Sequence, residues 1–188
     1  MMGYITQKKI ATATKALMQK QAFAQLSVTH IMAEAHLRRQ SFYDYFEDKY
    51  DVLAWIYNDE IQAIVQDNLD YEHWHQVLAH MLGYFEQNRH FYRQVFAIHD
   101  QNAPEAVIVK HVQTLIGRIF DDVGNANGPT DDYEVFLQRM LSLALVAELK
   151  RWLLEPQPQS VAHEQQQLAR FLEANAQGFF ALPPKTTD

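Results

Sequence analysis

Between positions 38 and 49 the sequence gathers side chains suited to gripping a polyanion and reading its edges: Arg38, Arg39, Gln40, Ser41, Tyr43, Tyr45 and Lys49. Arginine and lysine supply cations for phosphate oxygens, and a guanidinium bridges the two acceptors of guanine. The Gln40 amide carries the donor–acceptor pair that adenine complements. Tyr43 and Tyr45 offer hydroxyls to phosphate and ring edges to thymine methyls. Lys49 falls in the first turn of a predicted helix, where backbone N–H groups and the helix dipole already favour an anion. A lysine there does little for helix stability, so it is expected to have another task. Enzyme chemistry finds less support. The chain has no Ser-His-Asp spacing, no glycine-rich phosphate loop and no HExxH motif. Glu72 and His75 have the i, i+3 spacing of half a di-iron site, but no second copy exists. His73 and His75, two apart, point to different helix faces. No catalytic residue, metal site or cofactor is expected.

The elements that must position the polar stretch follow from its apolar punctuation. Ile10, Ala13, Leu17 and Met18 recur at helical spacing behind a capping Thr6. Ser27 caps a short second helix, Val28 to about Ala35, with Val28, Ile31 and Ala35 inward. After a break at His36-Leu37-Arg38, a third short helix runs from Arg39 to about Phe46. Phe42 and Phe46, at i, i+4, face inward there and leave the polar side chains outward. Asp48, three residues before Asp51, opens a fourth and longer helix through Val52, Leu53, Ile56, Ile61 and Ile64. Two short helices joined by a tight turn and braced by longer ones form a helix-turn-helix or an ordinary helical corner. The exposed Arg38-Arg39-Gln40-Tyr43 face favours the former, because a corner that serves only packing has no use for it.

Composition frames this reading. The 188 residues are 48% apolar and hold no cysteine, which excludes disulfides and thiolate metal sites while leaving enough chain for a real core. Few glycines and prolines, with abundant Ala, Leu and Gln, favour helices throughout. No apolar run approaches the roughly 18 residues that cross a bilayer. The polar-interrupted N-terminus is not a signal peptide. A cytoplasmic protein with no membrane contact is expected. The net charge of -7 argues against a nucleic-acid partner until the chain is divided. Residues 1–58 carry seven basic and five acidic side chains, and the rest carry nine and eighteen. The basic excess therefore lies with the polar stretch.

The segment from Ile10 to about Leu53, centred on LSVTHIMAEAHLRRQSFYDYFEDKYDVL, resembles the DNA-binding domain of the TetR family of transcriptional regulators. The matching features are Ser27-Val28-Thr29, Leu37-Arg38, Ser41-Phe42-Tyr43-Asp44-Tyr45-Phe46 and Asp48-Lys49. The chain departs from the pattern where it has Ala22 and His36 in place of glycine. His36 is the better suited of the two to a positive φ, so the helix before Ala22 is expected to end differently. Gln40 stands where a small residue or proline is common. Arg38 replaces a small N-cap, which implies a weaker cap. The resemblance implies an all-α protein with residues 1–47 as a helix-turn-helix DNA-binding domain and 48–188 as a helical-bundle dimerisation and effector domain. Its implied partner is double-stranded DNA carrying an inverted-repeat operator. The implied contacts are Ser27, Thr29, Arg38, Arg39, Gln40, Ser41, Tyr43, Tyr45 and Lys49.

Beyond Asp59 further helices are expected from His73 to about Asn88, from Arg89 to about His99, and from the Asp100–Pro104 break to near Val123. The turn cluster Gly124–Thr130 precedes a long helix from Asp131 to about Glu155. Ser160 caps a last helix ending before Pro183-Pro184. The long helix carries two apolar stripes, Phe136-Met140-Leu143-Ala147 and Leu137-Leu141-Leu145-Leu149-Trp152. It is therefore either central to its own domain or covered on one side by a second chain. In the resembled family the last two helices pair with their twins. The resemblance thus implies a homodimer through Phe136, Met140, Leu141, Leu145, Leu149, Trp152, Leu168, Phe171 and Leu172. The aromatic residues Trp74, Tyr84, Phe85, Phe91, Tyr92, Phe96 and Phe120 read either as core or as the lining of an effector pocket.

Within the family, the Ile5-Thr6-Gln7 opening, LRRQSFYDYFEDKYDVLAWIY and YFEQNRHFYRQVF are similar to the activators of dihydroxyacetone kinase operons. That similarity implies a kinase-like coactivator protein that senses the ketone and docks on the acidic half. The alternatives are a repressor released by a small apolar ligand in the C-terminal domain, and an all-α enzyme or scaffold that binds no DNA.

Overall fold

The computed structural model describes residues 2–66, 73–98, 103–124 and 132–181. Every element among them is helical: α1 (Met2–Met18), a 3-10 turn (Phe23–Gln25), α2 (Val28–Glu34), a 3-10 segment (Arg39–Asp44), α3 (Lys49–Gln66), α4 (Trp74–Gln87), α5 (Arg89–Phe96), α6 (Glu105–Gly124), α7 (Asp132–Leu154) and α8 (Val161–Phe180). No helix among these residues is long and apolar enough to cross a membrane. Glu72, most of the Asp100–Pro104 break, the turn cluster after Gly124, Asp131 and Pro183-Pro184 lie outside the described residues.

Local chemistry sets most boundaries. Ser27 Oγ accepts from His30 N and Ser160 Oγ accepts from His163 N, so both serines are N-caps. Asp48 Oδ1 accepts from the backbone N–H groups of Tyr50 and Asp51 and opens α3. Helix α2 closes in a Schellman motif. His36 takes φ 56°, its N–H bonds Ala33 O, and the Leu37 N–H reaches back to Met32 O. Leu37 then drops against the core. Ala22 stays extended at φ -64° and ψ 139°, so α1 ends without a left-handed residue. Two expectations are corrected. Thr6 lies inside α1, which already runs from Met2, and so is not its N-cap. The third helix is a 3-10 segment ending at Asp44: its Arg38 N-cap makes no side-chain bond, and so short a piece tightens to i→i+3 pairing.

The head (α1, α2 and the 3-10 segment) and the body (α4–α8) share one core. Helix α3 packs on α1 of the head and on α4 and α6 of the body. Ile10, Ile31, Phe42 and Phe46 continue through Ile56 and Ile61 to Tyr92 and Trp152 in a single apolar cluster. In the body, α6 lies along α7 and α4 lies along α8.

Candidate nucleic-acid interface

The interface is built on two buried rings. Phe42 and Phe46 sink into the core, with ring centroids 5.7 Å apart, and fix the rotation of the 3-10 segment. That rotation leaves Arg38, Arg39 and Gln40 exposed side by side, and turns Tyr43 outward at 57% exposure with its ring edge against Phe42. Arg38 and Arg39 form no ion pair among the described residues, so two guanidinium groups stand available to an anion. Ser27 and Thr29 are exposed at the start of α2, which packs directly on the segment. Ser41 is half-buried. Tyr45 is half-buried beside Gly3 of α1.

Lys49 has a different place from the one its position suggests. Its Nζ donates to Phe23 O and Ala24 O at 3.2 Å and to Leu26 O at 2.9 Å. It also sits 4.7 Å above the Phe23 ring and 5.6 Å from that of Tyr50. An ammonium has three N–H donors, and three carbonyls take them. In the free chain, Lys49, expected at the DNA, thus has its ammonium on the turn between α1 and α2. Gln94, which no motif or spacing singles out, joins it from α5. Its Nε2 donates to Met18 O at 2.6 Å and its Oε1 accepts from Phe23 N at 2.8 Å. This is how α1 ends next to Ala22 without a glycine.

Two family models match the chain: "Bacterial regulatory proteins, tetR family" over residues 10–55 and "Transcriptional regulator C-terminal region" over residues 72–174. The HTH-type dhaKLM operon transcriptional activator DhaS of Lactococcus lactis subsp. lactis (strain IL1403) is 37% identical over 144 residues, 76% of each chain. The chain belongs to the TetR family. Among solved structures, a dihydroxyacetone kinase operon activator DhaS superposes with a TM-score of 0.71 at 32% identity, covering 93% of this chain and 97% of that one. A TetR transcriptional regulator from Streptococcus agalactiae 2603V superposes with a TM-score of 0.68 at 20% identity, over 91% and 95%, which bears on the fold alone. This is a TetR-type transcriptional regulator, similar to DhaS, and not an enzyme.

The body of this TetR-family chain divides the residues expected at a dimer interface. Leu141, Leu145, Leu149 and Trp152 of α7, with Leu168 and Leu172 of α8, are buried within the one chain. These six belong to its own core, because that stripe of α7 turns toward α4, α6 and α8. Phe136, Met140 and Phe171 are 45%, 47% and 39% exposed, and Leu143 joins them on the outward stripe. The aromatic set is mostly core, but Trp74 and Phe85 help line an apolar cavity of about 90 Å³ between α4, α6, α7 and α8. Among the described residues, its charged neighbours are Arg118 and Asp122. Buried polar groups are matched nearby. The Tyr57 hydroxyl meets His111 Nδ1 at 2.8 Å, joining α3 to α6. Burial, with Arg118 close by, holds the His111 pKa below its ordinary value. Lys15 of α1 donates to Glu60 at 2.8 Å and to Asn88 at 3.0 Å, and the Tyr84 hydroxyl donates to the same carboxylate.

Proposed function

We propose that this TetR-type regulator acts in the cytoplasm as a homodimer on an inverted-repeat operator. It activates a dihydroxyacetone-utilisation operon through a kinase-like coactivator protein. The observation that carries the DNA contact is the exposed row Arg38, Arg39, Gln40 and Tyr43, held outward by Phe42 and Phe46. Ser27, Thr29, Ser41 and Tyr45 flank it as further contacts. Arg38 and Arg39 grip phosphates, while Gln40 and Tyr43 reach base edges.

The dimer rests on Phe136, Met140, Leu143 and Phe171, large apolar side chains left facing solvent on the last two helices. Large exposed apolar side chains grouped in this way mark an interaction site, and a two-fold arrangement lets one face cover its twin. Two heads related by that axis enter successive major grooves, which makes the operator an approximate inverted repeat. The assignment to a ketone-utilisation operon is supported by the likeness to DhaS in sequence and in structure.

The small apolar cavity favours a second reading, a repressor released by a small apolar ligand. Gel shift with DNA upstream of the gene's own operon, paired with sedimentation of the free protein, tests the proposal. A dimer that retards this DNA and ignores a scrambled duplex is expected. A monomer at micromolar concentration, or equal retardation of both duplexes, overturns it. Release of the DNA by a small apolar compound, with no coactivator present, establishes the second reading instead.

A further inference from the structure

The two ends of the helix-turn-helix are fastened together by one side chain. Lys49 lies in the first turn of α3, just after the 3-10 segment, and its Nζ reaches Phe23 O, Ala24 O and Leu26 O in the turn before α2. Leu26 directly precedes Ser27, the N-cap of α2, so these bonds fix where α2 starts. The faces of the Phe23 and Tyr50 rings fill out the shell around the ammonium. Gln94 takes two further groups of the same turn, Met18 O and Phe23 N–H, from the body side. To touch a phosphate, Lys49 would have to abandon three charge-assisted hydrogen bonds, and of the three carbonyls only Phe23 O would keep its backbone donor, the Leu26 N–H.

We propose that Lys49 and Gln94 are positioning residues for DNA binding, that they hold α2 in register with the 3-10 segment, and that Lys49 makes no phosphate contact. The proposal rests on the DNA-binding reading given above. It separates position from charge, and the two leave different marks. Each phosphate neutralised adds about 0.9 to the slope of log K against log salt. A lysine that only positions other contacts changes affinity and leaves that slope alone.

The test uses the full-length protein, a labelled duplex from the promoter region upstream of its gene, and a scrambled duplex of the same length. Lys49→Met keeps the apolar stem and removes the charge. Affinity for the promoter duplex is expected to fall about five- to thirty-fold, the effect of one or two kcal/mol of misplacement, with the salt slope unchanged. Gln94→Leu should show the same pattern, whereas Arg39→Ala should lower the slope. A slope reduced by about 1.8 in Lys49→Met, about 0.9 for each protomer of the proposed dimer, overturns the proposal, and so does an unchanged affinity. Reductive methylation of the wild type keeps the idea testable should the variant fail to fold. Lys49 should react slowly, and equally with and without DNA, while protection that appears only with DNA overturns the assignment. If the wild type binds neither duplex with salt-dependent affinity, the DNA-binding reading itself falls and takes this one with it.

Discussion

At the proposed DNA interface, Arg39 and Gln40 are neighbours with separable tasks. A guanidinium on a phosphate contributes the same energy on any sequence, whereas an amide on a base edge discriminates by roughly 1–3 kcal/mol per good contact. Gln40→Ala should relax preference at one base pair per half-site and leave binding to scrambled DNA nearly unchanged, as read by competition with singly substituted operators. Equal losses on operator and scrambled DNA would make Gln40 a positioning residue. Deeper in the chain, His111 supplies a pH dependence. Its pKa is lowered in the fold, so below about 6.5 the unfolded chain takes up a proton that the folded ring resists. Stability should therefore fall as the pH drops through that range. Thermal unfolding at pH 7.5 and 5.5 should show a smaller loss for His111→Gln than for the wild type; identical losses would assign the acid sensitivity elsewhere. What was legible at this scale was local. The Ser27 cap, the left-handed His36 and the outward arginines each depend on residues a few positions away. Lys49 and Gln94 were not legible, because their partners lie 23 to 76 positions off and only the folded chain brings them together.

Periodicity gives the angle of a side chain about its helix but not the neighbour waiting at that angle. That is why α7 showed two apolar stripes in sequence without revealing which one the chain keeps for itself. The fold settles the inward one: Leu141, Leu145, Leu149 and Trp152 are core, and Phe136, Met140 and Leu143 are surface. The same limit explains the 3-10 segment. Its apolar spacing fits a helix, but its length and its uncapped Arg38 decide how tightly it winds. The two faces of α7 predict opposite outcomes for one kind of change. Leu145→Glu buries a charge with no partner and should unfold the chain, since an unpaired buried carboxylate costs several kcal/mol. Met140→Glu places its charge on the outward face and should leave the helical content and melting of the protomer intact while splitting the dimer. Circular dichroism and sedimentation on the two variants decide this. A Met140→Glu protein that still sediments as a dimer would move the interface off this face.

At the scale of the whole molecule, the question is which part meets the signal. Dihydroxyacetone is a small polar ketone, and even very good small ligands gain at most about -1.5 kcal/mol per heavy atom. That ceiling is reached by matching each polar atom. Among the described residues, the cavity between α4, α6, α7 and α8 is lined by Val77, Leu82, Phe85, Ile116, Leu149 and other apolar side chains, with Arg118 and Asp122 as its charges. Desolvating the ketone's hydroxyls there would cost more than the walls return. Space points the same way: about 90 Å³ falls short of the cavity of about 150 Å³ that takes up benzene. On the proposed function, the ketone is therefore captured by the kinase-like coactivator, and the acidic body offers the docking surface while the head stays free for DNA. Titrating dihydroxyacetone into this protein alone should give no heat of binding. A kinase-like partner encoded beside it should bind, and bind more tightly once it carries the ketone. Saturable heat from the ketone and the isolated regulator would refute the relay and place the sensor inside this chain.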